Sequence, residues 1–230
     1  MGNKLNYSFF DKVWYLGVRV LVRLNDYLNN EDIIDKPINI VQKDNITLLY
    51  YALKNYNYKL LKHLLDNEEN TNIIGNSEGI SPLLFSFYNT SREVTELLLK
   101  YGADINIKNY TNKNNNLNGN TILIQAVRKR FDIKTINYIL EKGADINLSN
   151  NNGETPLHTI CMRITKSTSK QDIEILETLL KYGADITAKT TNEIKTKYYT
   201  FPKGSTPLDI IKIKNARKIE NILKNHLSKL

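Results

Sequence analysis

Five short strings recur along this chain of 230 residues, and no other feature limits its fold as tightly. They are Thr47-Leu48-Leu49, Ser81-Pro82-Leu83, Thr121-Ile122-Leu123, Thr155-Pro156-Leu157 and Thr206-Pro207-Leu208. Asn45, Gly79, Gly119, Gly153 and Gly204 stand two positions ahead of them, and the three middle strings lead to Gly102-Ala103-Asp104, Gly143-Ala144-Asp145 and Gly183-Ala184-Asp185. Each position has a physical sense. Glycine permits positive φ in a tight turn, Thr or Ser caps the helix that follows, and Pro occupies the first helical position, where no amide hydrogen is needed. Farther on, Leu60, Leu61, Leu64 and Leu65, or Val94, Leu97, Leu98 and Leu99, recur at helical spacing and predict the buried stripe of a second helix. Gly102, Gly143 and Gly183 then supply the left-handed residue that ends it.

With these positions in place, the chain resembles the ankyrin repeat family. The resemblance is carried by GETPLH at Gly153 to His158, LLKYGADI at Leu179 to Ile186 and KYGADIN at Lys100 to Asn106. It implies an all-α ankyrin-repeat solenoid, in which each unit is a turn, two antiparallel helices and a projecting loop, stacked so that neighbours bury one continuous core. On this basis residues 44–230 are expected to form five units, the last a C-terminal cap with Ile219, Leu223 and Leu227 inward and Lys214, Arg217, Lys218 and Lys224 on the other face. Residues 1–43 are expected to be an N-terminal helical cap or degenerate repeat, because Trp14, Val18, Leu21, Leu24 and Leu28 lie on one helical face with Arg19, Arg23 and Asp26 opposite. A membrane-surface helix is the alternative for that segment.

The copies are unevenly spaced. Their heads lie 34, 40, 34 and 51 residues apart, so extra chain is placed at Asn109 to Asn118, between the helices of the fourth unit near Ile164 to Lys170, and around Thr190 to Pro202. Lengthening a loop costs on the order of 0.6 kcal/mol per doubling, so the insertions need not disturb the stack.

Composition narrows the function classes. A single cysteine, Cys161, excludes an internal disulfide and any cysteine cluster for zinc, and fits a reducing, cytoplasmic compartment. The apolar stretch from Val13 to Leu24 contains Arg19 and Arg23 and is too short to span a bilayer. Ser228-Lys229-Leu230 matches a peroxisomal tripeptide, which makes the peroxisome the alternative address. No phosphate-cradling glycine loop, metal-ligand cluster or nucleophile elbow is present, so neither catalytic residues, a cofactor nor a metal is expected, and the chain reads as no enzyme. His158 belongs to the Thr-Pro-Leu-His string, where the family uses the imidazole to hydrogen-bond neighbouring loop backbone, and Cys161 falls where the family packs a small residue. The same two residues, three apart on a helix, are the only candidates for a thiolate nucleophile. Asp104, Asp145 and Asp185 stand in loops where short polar side chains satisfy backbone donors.

What remains is surface. The resemblance implies that partners contact the loop tips and the exposed side of each first helix, seven and eight positions after the capping residue. Those rules place Tyr88, Arg128, Lys129, Met162 and Arg163 on the helix face, and Ile80, Asn120, Glu154 and Ser205 at the tips. Cations steer while aromatic and thioether groups bury, so the expected partner is a protein with an acidic patch, bound by a monomer. The net charge of +8 is concentrated in residues 190–230, where nine basic side chains meet three acids, and nucleic-acid binding through this end is the alternative function. Thirty-one Asn and 27 Ile, with irregular insertions, are similar to the ankyrin proteins of large DNA viruses such as poxviruses and of host-associated bacteria, which implies a host-directed role.

Overall fold

The structure, a computed structural model, describes residues 48–67, 70–72, 79–109, 119–165 and 168–228. The expected N-terminal helix, most of the Asn-rich insertion and the last two residues of the chain lie outside them. The chain divides into two compact blocks, Met1–Gly102 and Ala103–Leu230. In the first, α1 (Leu48–Lys54) pairs with α2 (Tyr58–Asp66) and α3 (Pro82–Asn89) with α4 (Arg92–Lys100), and α1 packs on α3. In the second, α5 (Ile122–Arg128) pairs with α6 (Ile133–Glu141), α7 (Pro156–Arg163) with α8 (Lys170–Lys181), and α9 (Pro207–Ile213) with α10 (Arg217–Leu227). The first helices stack α5 on α7 on α9, while α6 packs on α8. The architecture is thus all-α apart from one small hairpin among the described residues, β1 (Ile194–Lys195) with β2 (Thr200–Phe201).

The helix starts follow from the recurring strings. The side-chain oxygens of Ser81, Thr121, Thr155 and Thr206 accept from the amides of Leu84, Ile124, His158 and Asp209, and Pro82, Pro156 and Pro207 open their helices. Each such cap is worth about 1 kcal/mol. The helices are short, and so gain most of their stability from being covered. All six residues from Ile122 to Val127 of α5 are buried, as are those from Pro156 to Cys161 of α7. The second helices bury one stripe only: Ile175, Leu176, Leu179 and Leu180 in α8, Ile219 and Leu223 in α10.

Polar rungs tie one repeat to the next. Asn106 Nδ2 donates to the Gly143 carbonyl at 3.2 Å while its Oδ1 accepts from the Asp145 amide at 2.7 Å. Asn147 repeats both bonds one repeat on, to the Gly183 carbonyl and from the Asp185 amide. Within the first block, Asn72 Nδ2 reaches the Gly102 carbonyl. The aspartates serve the same loops: Asp104 and Asp145 accept from the amides of Asn106 and Asn147, and Asp185 from Thr187. Thr187 stands where the next asparagine of the series falls, and its hydroxyl turns back to Asp185, so the Thr187 hydroxyl bond holds that carboxyl below its ordinary range.

One expectation about the last repeat is overturned. Lys214 is only 6% exposed and does not face water. It sits between α9 and α10, where its amine donates to the Met162 carbonyl in the last turn of α7 and lies 5.3 Å from the centre of the Tyr199 ring. A cation there meets carbonyls left without helical partners, which compensates its burial.

If the asparagine rungs carry inter-repeat stability, Asn147→Ala removes two of them. Urea unfolding should then show a loss of about 1–3 kcal/mol, and an unchanged midpoint would refute that role.

Candidate partner-binding site

The insertion between Thr190 and Pro202 is a folded element. Ile194 pairs with Phe201 and Lys195 with Thr200 in antiparallel register, and Thr196 closes the turn through its amide and hydroxyl to the Tyr199 carbonyl. Alternation explains its orientation: Ile194 and Phe201 are buried, whereas Lys195 and Thr200 are exposed. The neck is closed by the Thr190 amide to the Ser205 carbonyl and the Gly204 amide to the Thr190 carbonyl. Its base is stitched to the preceding repeat by the Thr191 amide, which donates to the Asn152 carbonyl at 2.8 Å. That close approach is why position 153 is glycine: at φ +74° a Cβ would stand 2.6 Å from the Thr191 nitrogen.

Between this hairpin and the ends of α5 and α7 lies a groove of about 340 Å³. Arg128, Glu154, Met162 and Arg163, all expected at the interface, line it together with Asn152, Thr159, Ile194, Lys195 and Thr196. Lys129 is exposed beside Arg128 without lining the groove. Tyr88 and Ile80 belong to the first block, where both are half-buried.

Burial corrects several of these assignments at the level of side chains. Asn120 and Glu154, expected as tips, are 0% and 4% exposed, and Ser205 is likewise buried. The Asn150 amide group donates to Asn120 Oδ1 at 2.8 Å and to Glu154 Oε2 at 2.6 Å, and Arg128 donates to the same Glu154 oxygen at 3.0 Å. The side chain of Arg163 is 10% exposed. Its guanidinium donates to the Val127 carbonyl at the end of α5 and to Asp172 in the first turn of α8. Lys195, by contrast, meets Glu193 at 3.0 Å in an exposed pair. Arg163 is therefore a strut between helices and Arg128 a tie from the end of α5 to the turn before α7, whereas the Lys195 pair is open to exchange, since exposed pairs are worth at most about 1 kcal/mol.

The two residues with nucleophile potential are likewise built into the frame. His158 Nδ1 accepts from the Thr155 amide at 3.2 Å, and Nε2–H donates to the Ser205 carbonyl of the next repeat at 3.2 Å, the tautomer this network requires. Burial holds its pKa below the ordinary 6.5, with the Ser205 and Ala188 backbone bonds opposing. Cys161 is fully buried, and burial pushes its thiol well above the ordinary range. Among the described residues no group of three or more His, Cys, Asp or Glu side chains could hold a metal ion, and no helix is long and apolar enough to cross a membrane.

Short capped helix pairs joined by polar rungs define a helical repeat protein. The family model for ankyrin repeats matches residues 18–109 and 108–190, and the chain belongs to that family. It is 31% identical over 188 residues to an ankyrin repeat protein of fowlpox virus, covering 81% of this chain and 49% of the relative. It is 29% identical over 195 residues to one of Acanthamoeba polyphaga mimivirus (70% and 45%), and 38% identical over 96 residues to one of Rickettsia felis (40% and 38%). The chain thus spans about half the length of the curated viral relatives it matches first. Ankyrin repeats are generally modules of protein–protein interaction.

Two outcomes are expected. Arg163→Ala strands Asp172 in the interior and should cost about 3–5 kcal/mol in urea unfolding, whereas the double variant Arg163→Met with Asp172→Leu should recover most of it; equal losses in both would contradict the strut. For His158 the folded pKa lies below the unfolded value, so the unfolded chain binds more protons as pH falls through 6.5. Stability should therefore drop from pH 7.5 toward pH 5 more steeply in the native chain than in His158→Gln, read from paired urea midpoints; parallel curves would contradict it.

Proposed function

We propose that this chain is a non-enzymatic protein-binding scaffold that acts by occupancy, blocking or recruiting a partner with an acidic patch. The observation that carries it is the groove of the second block, where Met162 and Thr159 meet cationic side chains while His158 and Cys161 are bound into the frame. The loop tips contribute backbone and shape, and the half-exposed Met162 with Lys129 beside the groove supplies the side chains a partner meets. A host-directed role, in the cytoplasm of the host, is supported by the poxviral, mimiviral and rickettsial relatives. Binding of one partner per monomer suffices for it.

The test is affinity capture from a host lysate followed by titration of the captured protein. Lys129→Glu with Met162→Glu should weaken binding about tenfold or more, which is about 1.4 kcal/mol. Unchanged affinity for every captured partner would sink the reading.

A further inference from the structure

Two of the three cations expected to meet a partner, Arg128 and Arg163, are already engaged. Arg128 and Arg163 are held by Glu154 and Asp172, and withdrawing either would strand a buried carboxylate. Besides Lys129, the basic charge that remains near the groove belongs to the inserted hairpin. Residues 189–203 carry Lys189, Lys195, Lys197 and Lys203 against Glu193 alone, and all four lysines are exposed.

We propose that this hairpin is the arm that grips the partner, and that its occupant is an acidic linear segment bearing an apolar side chain. The proposal rests on the protein-binding reading above. Tyr198 at the turn is 76% exposed, and Lys197 places its amine 5.1 Å from the centre of that ring, so ring and charge form one surface. The stalk beneath is firm. Phe201 and Ile194 are sunk in the core, and Tyr199 stacks on Phe201 at 6.0 Å with the Lys214 amine on its ring. A tyrosine side chain has only two torsions to lose on binding, which is what makes this residue type a frequent anchor.

The size of the groove suits a small footprint. About 340 Å³ is near the lower limit for ligand pockets and accommodates one or two side chains, as an extended segment presents them. Met162 and Ile194 offer the apolar floor and Lys195 the contact for a carboxylate, with the Lys195–Glu193 pair exchanged at small cost. Nucleic acid fits less well. Single strands are held by rows of aromatic platforms, whereas Tyr199 and Phe201 are committed to the stalk and the exposed Glu193 would repel phosphates.

Fluorescence anisotropy of the full chain with a fluorescein-labelled peptide of alternating Glu and Leu tests this, with a Lys/Leu peptide and oligouridine as competitors. Tyr198→Ala and Lys195→Glu with Lys197→Glu should each weaken binding at least about tenfold, while Lys134→Glu, exposed on α6 and outside the groove, stays within about twofold of the native chain. Tyr198→Phe should bind normally, and the exposed positions should leave the thermal midpoint unchanged. No binding of the Glu/Leu peptide, or binding indifferent to the hairpin variants, overturns the proposal; the protein-binding reading is judged separately, by the captured partner and the Lys129/Met162 variant. Oligouridine that displaces the peptide more effectively than unlabelled peptide does at physiological salt would assign the hairpin to nucleic acid instead.

Discussion

Coverage of the short first helices by their neighbours is the constraint from which the rest of the second block follows. A helix of seven or eight residues is marginal in water, yet α7 is buried from Pro156 to Cys161 because α5, α8 and α9 all pack on it. Once a helix is covered on several sides, every polar group it carries needs a partner supplied by another repeat. His158 finds the Ser205 carbonyl, Arg163 the Val127 carbonyl and Asp172, and the C-terminal carbonyl of Met162 finds Lys214. The inter-repeat chemistry is a consequence of the burial.

That same demand separates what could be read in the sequence from what could not. The caps at Ser81, Thr121, Thr155 and Thr206, the apolar stripes and the left-handed glycines were legible because each is decided within a few residues of chain. The loop role of the aspartates and the structural role of His158 were legible for the same reason, aided by the family resemblance. Exposure was not. Counting positions after a cap places Arg163 and Lys214 on an outer face, but each is drawn inward by a carboxylate or carbonyl contributed by a different helix. Asn120 and Glu154 are drawn inward likewise, since Asn150, thirty residues from the first, bonds to both.

The hairpin was located as extra length but not as structure. Its signal was present in the run Ile194-Lys195-Thr196-Lys197-Tyr198-Tyr199-Thr200-Phe201, rich in β-branched and aromatic residues. With only two residues paired on each strand, that signal is too short to stand out against a helical repeat. What makes the element ordered is tertiary: Phe201 in the core, Thr191 on the preceding turn and Lys214 on Tyr199. The insertion thereby supplies one wall of the groove, which Ile194, Lys195 and Thr196 line.

Hydrogen exchange of the native chain, read by mass spectrometry, addresses this account most directly. Peptides spanning α5 and α7 should exchange slowest, and the amides of Thr190, Thr191 and Gly204 at the neck of the hairpin should be protected with them, because they close onto the same buried frame. Exchange of residues 190–204 at the rate of an unfolded loop while α5 and α7 remain protected would contradict it, leaving the insertion unattached and the groove without its wall.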